Sequence, residues 1–352
     1  MLAINLIAVD GQNVLKSRTS SLALSVFAVL AVGLFLAGSQ SLGAPAKQSL
    51  PRPSPEAQAE HVILFVLEGV GQDAIKTGPM PVLGRFAKEG AATWSASGAT
   101  PSQRLPSMAS LITGLPVEKH GVTWDSFDFA RGYPRPPTVF DYLDLSGGKD
   151  SAIFFMDESM YQLAKPEPYT DYQICGALRP ECSTTTILKY IRDYFRKAIS
   201  GHGYGHAILS LPHLFVLHLP QPATAAAASG WNSPAYKEAL HDVDRAMAAV
   251  LEVYKELGLL EKTVVMVTGL SGGTVAGKGM NGAGSAPVPW IVWGAGIKPG
   301  HTIKQPVSII DTGATVMRTL NLETHTEWDS HAVEEIFRTP QAVASEKAEH
   351  GH

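Results

Sequence analysis

Thr263-Val264-Val265-Met266-Val267 is a short apolar, β-branched run that ends in Thr268-Gly269. It follows a segment, Tyr236 to Leu260, whose apolar residues recur at helical spacing. A strand apolar on both faces must be covered on both sides, and a long amphipathic helix leading into it supplies one cover. The same unit recurs along the chain. Val62 to Leu67, Ser151 to Met156, Leu214 to Leu219 and Trp290 to Trp293 read as strands, the last closed by Gly294-Ala295-Gly296. Helical patterns fall at Pro81 to Glu89, at Ser107 to Leu115 with Ser107 as N-cap and Gly114 as stop, and at Asp311 to Leu320. Such alternation predicts an α/β fold: a central, mostly parallel sheet with helices on both faces in a single large domain over 61–338. Ligands of open α/β sheets bind beyond the carboxyl ends of the strands. Residues just after Val267, namely Thr268-Gly269-Leu270-Ser271-Gly272-Gly273, are therefore expected to face the crevice.

The ends of the chain are of another kind. Lys16 and Arg18 precede an uncharged stretch with an apolar heart, Leu22 to Ala37, so residues 1–38 read as a signal peptide or an N-terminal membrane anchor. Ala44-Pro45-Ala46 offers a small-residue cleavage site. Either way the expectation is an exported protein, periplasmic or secreted, with residues 22–38 as its inner-membrane contact if uncleaved. Residues 39–60 are rich in Pro, Ser and Ala and read as a linker, and 339–352 as a polar tail. The two cysteines of the chain, Cys175 and Cys182, are expected to form a disulfide in that oxidising compartment. A net charge of −4 with no basic stripe argues against nucleic acid as a partner.

Six segments in order carry a resemblance. They are Val66-Leu67-Glu68-Gly69; Pro101 to Ser107 (PSQRLPS) running on to Leu111-Ile112-Thr113-Gly114; Glu118-Lys119-His120-Gly121-Val122; Gly230 to Tyr236 (GWNSPAY); the Val264 strand with Gly272-Gly273; and Pro289 to Gly294 (PWIVWG). In these the domain resembles the alkaline phosphatase superfamily, in its type I phosphodiesterase/nucleotide pyrophosphatase branch. The resemblance implies two zinc-like ions held by Asp and His, with a Thr or Ser nucleophile between them. Carried over position by position, the first metal Asp falls on Glu68 and the nucleophile on Arg104. The Asn that supports the phosphoryl oxygen falls on Asp125. The Asp and His of an Asp-x-x-x-His segment fall on Ala223 and Ala227, a later Asp-His pair on Leu270 and Ser271, and the last His on Asn281.

Methyl and isobutyl groups ligate nothing, and a guanidinium neither attacks phosphorus nor tolerates a neighbouring cation. Glu68 is the one retained candidate ligand. The site is therefore expected to be metal-free and without intact catalytic residues. A Glu68–Arg104 ion pair is expected to replace the metal, over an apolar floor of Leu270 and Ala227. Arg104 as a contact for a small anionic ligand is the other reading of that residue. Ser102 and Ser271 lack a placed general base, His120 reads as a structural residue of a turn, and His202 and His206 as part of a Gly-rich loop. Three functions remain: a non-catalytic binding or scaffold protein with an unknown protein or small anion as partner; a hydrolase of phosphoric esters with a remodelled site, carrying a divalent metal pair; and a structural subunit of an envelope complex.

Overall fold

The computed structural model describes residues 58–77, 80–146, 148–163, 170–174, 183–201, 210–271 and 287–338. All lie in the unit Ser49–His352. The expected signal or anchor, the Cys175–Cys182 bridge, His202, His206 and Asn281 fall outside the described residues. No described helix is long and apolar enough to cross a membrane.

Among the described residues, eight strands form one sheet. In chain order they are β1 (His61–Glu68), β2 (Ala91–Ala96), β3 (Ser151–Phe155), β4 (Thr170–Ile174), β5 (Leu214–Leu219), β6 (Thr263–Ser271), β7 (Val288–Gly294) and β8 (His301–Thr302). Across the sheet the order is β4-β3-β5-β1-β6-β7-β2-β8. Pairing is parallel from β4 through to β6, whereas β7 runs antiparallel to both β6 and β2. The sheet is thus mixed and mostly parallel. β1 sits in its middle, and all eight of its residues are buried.

Alternation along β1 divides the core in two. Val62, Leu64 and Val66 join the cluster beneath the helices Arg104–Thr113, Val139–Leu145 and Asp311–Thr319. Ile63, Phe65 and Leu67 join the cluster beneath Pro81–Glu89, Thr184–Ser200 and Pro234–Glu256. Both faces need apolar residues because both are covered, which is why the strand is a continuous hydrophobic run. The long helix starts on a Ser233 cap that accepts the Tyr236 N–H at 3.1 Å, with Pro234 at its first position. Its Asp244 caps a second helix from a distance, accepting the N–H groups of Val82 (3.1 Å) and Leu83 (3.0 Å), where Met80 offers no side-chain cap.

Two local expectations are corrected. The helix after the Pro101 segment begins at Arg104, not Ser107. Its N-cap is Gln103, and Ser107 is a buried residue of the helix body. Strand β6 does not end at Val267 but runs on to Ser271, because Glu68 still provides a pairing partner at that level. Leu67 pairs with Gly269 and Glu68 with Ser271, so Leu270 is the extra residue of a bulge. The bulge buries Leu270 in the same core cluster as the Arg104 helix.

Candidate functional site

Four residues from four separate segments meet beyond the carboxyl end of β1. Glu68, the last residue of that strand, is 1% exposed. Its position continues the Val62, Leu64, Val66 series, so it faces the side covered by the Arg104 helix. Arg104 stands at the first turn of that helix and reaches back over the strand. Its Nε donates to Glu68 Oε1 at 2.7 Å and its Nη2 to Oε2 at 2.9 Å, a two-pronged fork. Its Nη1 donates to Asp157 Oδ2 at 2.6 Å, just past the end of β3. From β5, His218 brings Nε2 to 2.7 Å from Glu68 Oε1. His218 is fully buried and packs edge-on against Phe155.

Burial alone would raise the Glu68 pKa, but the hydrogen bonds and charges of His218 and Arg104 outweigh it and hold the carboxyl below its ordinary value. Asp157 is lowered in the same way: its burial is outweighed by the Ser159 hydroxyl at 2.5 Å, the Ser159 N–H at 2.9 Å and Arg104. Burial would depress Arg104, yet the Glu68 and Asp157 carboxylates raise it further above its already high value. A guanidinium so placed is a permanent cation.

Asp125 completes the rim. It accepts the Leu105 N–H at 2.8 Å and thereby satisfies a donor of the helix's first turn that Gln103 leaves free. Its carboxyl still reaches solvent, but partial burial raises its pKa, as do the Glu68 and Asp157 charges. Gln162 fixes the loop that carries it. The Gln162 Oε1 accepts from Trp124 Nε1 (3.0 Å) and the Asp128 N–H (2.9 Å), while its Nε2 donates to the carbonyls of Asp128 (2.6 Å) and Gly132 (3.0 Å). His120 serves the adjoining turn: Nδ1 accepts the Val122 N–H at 3.0 Å, and Nε2 lies 2.9 Å from Ser110 Oγ.

The other inherited positions are distributed differently. Ala223 is buried on the helix Gln221–Ser229, against Gly69, whereas Ala227 is exposed. The expected floor of Leu270 and Ala227 is therefore corrected: in that helix Pro222, Ala223 and Ala226 turn inward, and Ala227, the next residue round, points away. Leu270 fills the core, and Ser271 is buried with an Oγ that meets no partner among the described residues. Among the described residues, the positions that the resemblance assigns do not supply the donors of a pair of divalent ions. Ala223 and Leu270 offer no donor, and Glu68 is already engaged by three N–H groups. Among the described residues, no group of three or more His, Cys, Asp or Glu is arranged to hold a metal.

Asp157 and His218 were not apparent from the resemblance. Asp157 is an acidic residue just after an apolar strand, and His218 a lone polar residue inside Leu214 to Leu219. Both are signals that sequence reading can use.

The family model for type I phosphodiesterase/nucleotide pyrophosphatase matches residues 62–274, more than half of the chain. The chain belongs to that family. A curated relative of this phosphodiesterase-family chain is mouse steryl-sulfatase, 25% identical over 266 residues that cover 70% of the chain and 36% of the relative. The chain thus spans about a third of that relative's length. Murine ectonucleotide pyrophosphatase/phosphodiesterase 5, in a complex with AMP, superposes with a TM-score of 0.59 at 13% identity, covering 79% of this chain and all of that one. Its human counterpart gives 0.60 at 12% identity, again with 79% and 100% coverage. A phosphonate monoester hydrolase from Silicibacter pomeroyi gives 0.51 at 14%, with 78% and 76% coverage. At these identities the likeness concerns the fold alone.

Proposed function

We propose that this member of the family is an exported, non-catalytic protein that uses the alkaline phosphatase fold to bind a partner. One observation carries the reading: the guanidinium of Arg104, which the resemblance assigns to the nucleophile's position, is bonded to Glu68, the one carboxylate it assigns to a metal ligand. A cation fixed there repels a divalent ion and has no lone pair with which to attack phosphorus or sulfur. The acidic surroundings of Arg104 also bear on the ligand. With Glu68, Asp157 and Asp125 about it, a small anion meets three carboxylates, so a neutral or cationic group of a partner protein fits this rim better.

The sulfatase and phosphodiesterase relatives supply the competing reading, ester hydrolysis by a metal-loaded remodelled site. Metal analysis of the purified protein, combined with phosphomonoester, phosphodiester and sulfate ester assays, separates the two. We expect no stoichiometric zinc and turnover no higher than a mock preparation. We also expect Arg104→Thr to remain inactive, because positions 223, 227 and 270 still lack donors. Metal-dependent turnover by the unaltered protein would overturn the non-catalytic reading.

A further inference from the structure

We propose that Glu68, Asp157 and His218 form a preorganised guanidinium-binding pocket, whose occupant is tethered to the protein at Arg104. The proposal rests on the reading that no metal pair is held here. It goes further by treating the guanidinium as a ligand that the chain supplies to itself. The acceptors are held by groups other than Arg104. Glu68 is fixed by its place at the end of β1 and by His218 at 2.7 Å. Asp157 is fixed by the backbone N–H and the hydroxyl of Ser159. The pocket's walls therefore do not depend on the arginine that fills it. The three N–H bonds from Nε, Nη1 and Nη2 reach carboxylates from two different strand ends. That pattern suits a planar fork and not a point charge such as an ammonium. The Arg104 side chain is 22% exposed, so a path from solvent to the pocket exists.

Arg104→Ala deletes the atoms of an ethylguanidinium, and ethylguanidinium is the probe. Thermal melts are measured in the presence of a chelator at constant ionic strength, with the probe at low-millimolar concentration. We expect Arg104→Ala to melt below the unaltered protein and to be stabilised saturably by the probe. At ten times the dissociation constant the folding equilibrium should shift about eleven-fold. The unaltered protein should show no saturable response. Neither should the double variant Glu68→Gln/Arg104→Ala, which leaves no unpaired charge at position 68, keeps Asp157 on its Ser159 bonds and is expected to fold. If Arg104→Ala alone cannot be isolated folded, refolding it with the probe should recover soluble protein.

An absent saturable effect, an equal effect of ethylammonium, an equal effect on the double variant, or failed recovery on refolding would each overturn the proposal. Because the chelator removes metals from every arm, these outcomes are independent of the metal and turnover measurements that test the non-catalytic reading.

Discussion

Arg104 engages both oxygens of Glu68 in one fork, at 2.7 and 2.9 Å, while the Glu68 side chain is 1% exposed. A buried carboxylate deprived of such a partner is costly to a fold. Arg104→Ala is expected to destabilise the protein by about 3–5 kcal/mol, and the added Glu68→Gln change to recover part of that. Urea unfolding of the two variants against the parent tests this. A loss for Arg104→Ala well under 1 kcal/mol would mean that Glu68 is satisfied without it.

His120 gives the protein an acid-sensitive limb. Burial pushes its pKa down from 6.5 to about 4, and the Nδ1 that takes the Val122 N–H has to stay unprotonated. The unfolded chain therefore binds a proton that the folded chain refuses between those values. Stability is full above pH 6.5 and falls as pH drops toward 4, by on the order of 3 kcal/mol. His120→Asn, whose side-chain oxygen can take the same N–H, should flatten that limb. The lowered Glu68 and Asp157 carboxyls add a further loss below their unfolded values of 4.5 and 3.8, completed as pH falls through their folded values. Denaturant midpoints measured across this range resolve the two phases.

Gln162 makes four bonds to the loop that carries Asp125, and it is 3% exposed. Gln162→Leu leaves the Trp124 indole N–H and the Asp128 N–H without acceptors. A cost of about 2–4 kcal/mol is expected, with a shift of the Trp124 emission as its ring gains solvent. An unchanged emission spectrum would mean that the loop keeps its place without the clamp.

Gly69 has φ +73°, and a Cβ built there would lie 2.6 Å from the Ala223 nitrogen and 2.7 Å from its Cα. The obstacle is backbone, so no rotamer change relieves it. Gly69→Ala should cost more than the roughly 1–2 kcal/mol of a left-handed residue alone, with a lowered melting temperature as the readout. A smaller loss would show that the helix Gln221–Ser229 yields easily.

The strands of the sheet centre were legible because they are apolar on both faces, and Leu214–Leu219 and the helix Pro81–Glu89 fall where the pattern puts them. β2 was not legible. Ala91–Ala96 is mostly alanine and small polar residues, and what makes it a strand is the pairing of Ala91 and Ala92 with Val292 and Ile291. Arg104 and Glu68 were readable as partners because the resemblance puts them at positions that share one metal, and with no metal the carboxylate needs the cation. The share of Asp157 in that arginine was not, since it depends on where β3 ends relative to β1 across an intervening strand. The outward turn of Ala227 was missed for a simpler reason: the seven small residues Ala223 to Ser229 carry no hydrophobic period from which to tell the inner face of a helix.

The strand order also sets a timetable for the chain. β1 is made first, yet it is flanked in the sheet by β5 and β6, whose pairings join Val62 to Leu214 and His61 to Thr263. About two hundred further residues must be delivered before both sides of this central strand are covered. Until then the nascent protein carries an apolar segment with at least one open hydrogen-bonding edge, the kind of surface that holdase chaperones recognise and that aggregates when left unattended. Truncation before Thr263 therefore leaves that strand with an open flank, and the fold is reached only after the second half of the chain arrives.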